Sequence, residues 1–185
     1  SECQIIYKCN HSFFEKINSE EKAYWLGFIA ADGCIHQNAL IIALAEKDKT
    51  HLELFKKSIN SAHPIRFIKS TKAYAIYIRS NNIRDSLAKL GIMPNKTKSL
   101  EWPNIKSKFI RHYVRGFFDG DGSFSVNKKI RSSMIISIVS KPSFLFKIKD
   151  WIQKKINLGD VKLCRHSQSN VVSYLRYGGR NQVRK

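Results

Sequence analysis

Two segments of this 185-residue chain, 89 positions apart, repeat one pattern: Trp25-Leu-Gly-Phe-Ile-Ala-Ala-Asp-Gly33 and Val114-Arg-Gly-Phe-Phe-Asp-Gly-Asp-Gly122. Each is an apolar run with small residues four apart, Gly27 and Ala31 in the first and Gly116 and Gly120 in the second. On a helix these share a face, so each segment offers a smooth stripe along which a second helix can lie close. The closing glycine reads as a helix terminator, the residue that enters the left-handed C′ conformation without steric cost. The Asp before it is out of place. A carboxylate at a helix C-terminus faces the negative end of the macrodipole, at a cost of about 0.3–1 kcal/mol. Packing the two stripes together adds repulsion between Asp32 and Asp121. A divalent cation would relieve both penalties.

The repeat extends past these segments. After Asp32-Gly33 the spacing predicts a strand pair turning near His36-Gln37-Asn38, a helix over about 48–60, strands over 64–70 and 73–80, and a helix over 81–90 stopped by Gly91. After Asp121-Gly122 the order recurs, with strands at 123–128 and 134–139, a helix over 142–157, and strands at 160–166 and 171–177. The fold class is therefore α+β, an α-β-β-α-β-β-α unit read twice, with helices on one face of each sheet. The boundaries read as an N-terminal arm over 1–18, a first half over 19–106 and a second half over 107–185. Phe144, Phe146, Ile148, Trp151 and Ile152 read as the core face of their helix. The second half stops midway through its last helix and Ser1 is no initiator Met, so the natural chain is expected to run beyond both ends.

The nine-residue segments resemble the motif of the LAGLIDADG homing endonucleases, in the single-chain form with two copies, and the likeness covers roughly residues 12–185. It implies two pseudo-symmetric halves, motif helices packed at their interface, and antiparallel sheets forming a saddle for double-stranded DNA. The eighth place of the motif, the family's catalytic acid, falls on Asp32 and Asp121. With the carbonyls of Ala31 and Gly120 these would hold Mg²⁺, with Mn²⁺ able to substitute and Ca²⁺ supporting binding only. The family's loop lysine matches Lys96, with Lys98 second in line, and its water-positioning places match Glu46 and Ser140. The implied reaction is hydrolysis of one phosphodiester in each strand. The alternative is a catalytically silent RNA maturase or DNA-binding regulator of the same fold. An intein insert is the weaker reading, since Lys185 cannot cyclise.

Lys and Arg number 33 against 14 Asp and Glu, a net charge of +19, which attracts polyanions. No apolar run reaches the ~20 residues that span a bilayer, and no signal peptide opens the chain. The four cysteines form no CxxC pair, so free thiols in an intracellular, reducing compartment are expected rather than zinc. Contacts to DNA are expected from His36, Gln37 and Asn38 in their turn, and from Ser123, Ser125 and Asn127 on one side of their strand, with Phe124 and Val126 on the other. The candidate cations are Arg66, Lys69, Arg79, Lys128, Lys129, Arg131, Lys162, Arg165 and Arg176. The halves differ at nearly all of these positions, so a monomer with internal pseudo-two-fold symmetry should prefer an asymmetric site.

Overall fold

The computed structural model describes residues 7–126, 134–156, 158–166, 169–179 and 183. Of the candidate contact residues, Asn127, Lys128, Lys129 and Arg131 lie outside the described residues.

The first half begins with α1 (Glu20–Asp32), whose N-terminus is capped by the Ser19 hydroxyl accepting from the Lys22 amide. It continues through β1 (Gly33–His36), β2 (Ala39–Ala45), a 3₁₀ turn (Glu46–Asp48), α2 (Lys49–Ser58), β3 (Ile65–Ile68), β4 (Ala73–Arg79) and α3 (Asn81–Lys89). A short α4 (Lys96–Ser99) and a connection lead to α5 (Ile110–Asp121). The second half then runs β5 (Gly122–Val126), β6 (Met134–Ser140), α6 (Pro142–Lys155), β7 (Cys164–His166) and β8 (Ser169–Gly178). The sheets share one order, β1-β2-β4-β3 and β5-β6-β8-β7, antiparallel throughout. The doubled unit expected from the sequence is thus present up to its closing helix, which among the described elements only the first half has, as α3; β7 is shorter than the strand placed over 160–166.

α1 is apolar on every side. Trp25, Leu26, Phe28, Ile29, Ala30 and Ala31 are all buried, as expected of a helix at the centre of a molecule. Its partner α5 buries one face through Tyr113, Gly116 and Phe117. The two cross at their glycines. A Cβ on Gly27 would lie 1.9 Å from the Tyr113 carbonyl oxygen, and one on Gly116 would lie 2.0 Å from that of Tyr24. Glycine is the only residue that permits this approach, and it joins the halves into one core that also includes Phe13, Phe14, Phe55, Ile76, Phe144, Ile148 and Leu175.

Two expectations are corrected. Gly33 and Gly122 are not left-handed caps, because the chain passes directly from helix to strand in extended conformation, with φ −70 and −86. Glycine is needed there for space. A Cβ would fall 2.7 Å from the Ile29 carbonyl oxygen in one copy and 2.3 Å from that of Phe118 in the other. Phe146 is 56 % exposed; Leu145 takes its place inward with Phe144 and Ile148, which is the spacing a helix demands. Phe124 and Val126 share the helix-side register with Ile138 and Leu175, yet they are exposed. In the first half α3 buries Ile83 and Leu87 with the matching Ile35 and Ile78, and no described helix does so in the second.

Candidate functional site

The crossing at Gly27 and Gly116 carries the two helix C-termini, and with them Asp32 and Asp121, to one place. The carboxylate of Asp32 reaches across to the partner helix: its Oδ2 is 3.2 Å from the position a Cβ would take on Gly120. Burial raises the pKa of both acids, that of Asp121 to about 6, and for Asp121 the charge of Asp32 adds to the rise. The side chain that opposes this is Lys96. Asn95, in the left-handed region at φ 58, turns the chain into α4 so that Lys96 points inward. Its ammonium donates to the Ala30 carbonyl at 2.8 Å and to the Ala31 carbonyl. It lowers the pKa of both acids, while burial lowers its own.

These residues fit a hard divalent cation. Every donor is an oxygen, and a cationic group already sits on the carbonyls that close α1. Among the described residues no three His, Cys, Asp or Glu side chains gather as a metal cluster. Two carboxylates completed by carbonyls and waters is the kind of set that Mg²⁺ accepts.

A second polar group lies beside the first acid, unannounced by the motif. The Tyr24 hydroxyl donates to Asp119 Oδ2 at 2.7 Å, across the helix interface, and lies 3.1 Å from His51 Nε2 on α2. The Arg115 guanidinium covers the Tyr24 ring at 4.8 Å. At the pseudo-symmetric place, Tyr113 and Phe117 pack on Phe144, and the Tyr113 hydroxyl is buried without a hydrogen-bond partner among the described residues. The acid whose charge raises Asp32 is Asp48, not Glu46, which opens the 3₁₀ turn exposed. Ser140 ends β6, half-buried. The only signal for His51 in sequence was a histidine on the apolar face of α2, and that by itself reads as core.

On the first sheet, register puts Arg66, Tyr77 and Arg79 on the face away from the helices. Arg66 and Arg79, with His36, Gln37 and Asn38, line an open hollow of about 870 Å³. Tyr7, His11 and His63 also line it, three residues that the sequence did not mark as contacts to DNA. His11 Nδ1 lies 2.9 Å from the Ser80 hydroxyl, which ties the arm to the end of β4. Lys69 is exposed in the turn between β3 and β4. On the second sheet, Ser123, Ser125 and Arg176 share the face away from the helices, with the Ser123 and Ser137 hydroxyls 2.7 Å apart and Arg176 stacked over Tyr174 at 4.3 Å. Arg165 pairs with Ser173, three residues from Arg176, so register assigns it to the opposite face. Lys162 is exposed ahead of β7. The side chain of Lys98 is outside the described set.

This architecture is found in solved structures across most of the chain. I-LtrWI, a LAGLIDADG homing endonuclease bound to target DNA, superposes with a TM-score of 0.60 over 95 % of this chain and 81 % of its own, at 14 % identity. The chain has the fold of the LAGLIDADG homing endonucleases. The meganuclease I-SmaMI on uncleavable DNA matches at 0.61 over 90 % of this chain and 82 % of its own, at 14 % identity. I-GzeII in complex with its DNA target matches at 0.59 over 88 % and 80 %, at 16 % identity. No protein-family model matches the sequence. Among curated proteins, the replication factor C small subunit of Methanocaldococcus jannaschii is 26 % identical over 191 residues, covering 94 % of this chain. The chain spans about a tenth of that protein's length.

Proposed function

We propose that this chain is a sequence-specific endonuclease of double-stranded DNA that depends on divalent metal and hydrolyses one phosphodiester in each strand of a long asymmetric site. The observation that carries the reading is the pairing of Asp32 and Asp121 at two packed helix ends, beneath two sheets whose open faces present Arg66, Arg79 and Arg176. The solved structures of this fold that match the chain include DNA-bound homing endonucleases, and one was obtained with calcium ions.

In this reading Asp32 and Asp121, with the carbonyls of Ala31 and Gly120, hold Mg²⁺. When bound, it supplies Lewis acidity and lowers the pKa of water near the scissile phosphate. Lys96 brings a positive charge to the same place, suited to charge that develops on phosphorus. The glycine crossing holds the two acids to one spacing, and the sheet faces set which phosphate meets them. His51 acts on Asp32 and not on Asp121, and contact residues differ between the sheets, which favours an asymmetric target. The unit, halves 19–106 and 107–185, acts as an intracellular monomer encoded within a mobile element such as an intron. The exposed free thiols of Cys34 and Cys164 suit a reducing compartment.

The test is cleavage of a randomised duplex library in Mg²⁺, with Asp32→Asn and Asp121→Asn alongside and Ca²⁺ as the binding control. Cuts in both strands at one asymmetric site, abolished by either substitution, support the proposal. Tight binding without cutting overturns it in favour of a regulator or RNA maturase.

A further inference from the structure

The two carboxylates occupy unequal places. Asp32 crosses onto α5, with Oδ2 against Gly120, so one oxygen set consists of Asp32 and the end of α5. The pseudo-symmetric set is Asp121 and the end of α1, and there the Lys96 ammonium already bonds the Ala30 and Ala31 carbonyls. Those two carbonyls close α1, so the ammonium sits on the oxygens that belong to that second set. A lysine on helix-terminal carbonyls does part of what a cation would do there: it satisfies orphan acceptors and opposes the negative end of the dipole.

Resting on the endonuclease reading for the identity of the ligand oxygens, we propose that Lys96 is an internal counter-ion that closes one of the two divalent-cation sites in the DNA-free protein. The free protein then takes a single divalent ion, held by Asp32 at the end of α5. The Asp121 and Ala31 set opens only when Lys96 leaves those carbonyls, as an incoming phosphate would induce by offering the ammonium a stronger acceptor. The two sites therefore fill in a fixed order, and the second fills only with DNA in place.

Titration of the DNA-free chain with Mn²⁺, followed by the loss of the free-ion EPR signal, tests this without DNA or cleavage. Wild type is expected to bind one ion and Lys96→Met two. Lys96→Arg, which keeps the charge, should still bind one. Adding Asp121→Asn to Lys96→Met should weaken the gained site at least tenfold, and Asp32→Asn should remove the one wild type has. Circular dichroism establishes that each variant is folded, and Lys96→Gln replaces Lys96→Met if the latter is not. Two ions on wild type, no ion on wild type, or one ion on folded Lys96→Met and Lys96→Gln would overturn the proposal. Failure of the nuclease reading is separate: it appears as absent cleavage on DNA whatever the stoichiometry.

Discussion

Adding one methyl group at Gly27 tests the central claim that two helices are held at backbone contact. An Ala Cβ there would lie 1.9 Å from the Tyr113 carbonyl oxygen, 2.8 Å from its carbon and 2.9 Å from the Phe117 amide nitrogen. Reaching ordinary van der Waals contact at 3.4 Å requires the helices to part by about 1.5 Å. Two effects compete. Ala is favoured over Gly inside a helix by about 1 kcal/mol. Overpacking costs about 1–3 kcal/mol where side chains can yield, and here every obstructing atom is backbone on a helix that anchors the second half. With rigid backbone as the obstacle the top of that range applies, and the clash should win by about 2 kcal/mol, which for a chain of this size lowers Tm by about 4–8 °C. Gly178→Ala is the control, because its nearest neighbour is 4.0 Å away and its stability should hold. Parting the helices also moves Asp32 off Gly120, and a displacement of about 1 Å can cost 10²-fold in rate. Thermal and urea denaturation beside cleavage assays measure both effects. A Gly27→Ala protein as stable as wild type would refute the account of the crossing.

Three further outcomes are expected. Tyr24→Phe and Asp119→Ala each remove the same cross-interface hydrogen bond, so each should cost about 1 kcal/mol and the double variant little more than one of them; additive losses in a denaturant-based mutant cycle would show that the contact is not made. In EDTA, Asp121 protonates with a pKa of about 6 against the ordinary 3.8 of an aspartate. Its contribution is fully present below about pH 4 and is lost as pH rises through 6. The nominal loss of ~3 kcal/mol shrinks to about 1 kcal/mol because the residue is partly open to solvent. Wild type should therefore lose about 2–4 °C more than Asp121→Asn between pH 4 and pH 7.5, and equal losses would contradict the burial argument. Arg66→Ala and Arg79→Ala should each weaken duplex binding in Ca²⁺ and reduce the salt slope by about 1, whereas Arg165→Ala should leave both unchanged; fluorescence anisotropy across a salt series decides it.

What could be read from the chain in advance was what is local or repeated. The small-residue stripes of the two motifs specify a close crossing, and the alternation after each Asp-Gly specifies strands, so both sheets and the placement of Asp32 and Asp121 were legible. What failed had a neighbour that local pattern does not contain. Phe124 lies on the side its alternation assigns, but whether that side is covered depends on a helix far along the chain. Gly33 ends its helix as expected, yet the reason is the Ile29 carbonyl beneath it and not a left-handed turn. Phe13 and Phe14, in what reads as an arm, are buried in the common core.

The least legible residues are also the least symmetric, and the connection is physical. The scaffold duplicates wherever one half must match the other: Tyr24 with Tyr113, Gly27 with Gly116, Phe28 with Phe117, Asp32 with Asp121. Symmetry is broken at the polar groups around that frame. Asp119 stands where α1 has Ala30, and His51 packs on Tyr24 and Phe28 as Phe144 packs on Tyr113 and Phe117. Lys96 attends the end of α1. A two-fold frame alone would meet both strands of a duplex with identical chemistry. These substitutions put an ammonium on the carbonyls of one oxygen set and a histidine on the side of the acid of the other, so the two strands should be cut at different rates even at a target whose halves are made identical. Equal nicking rates on such a palindromic duplex would mean that the asymmetric groups serve packing alone.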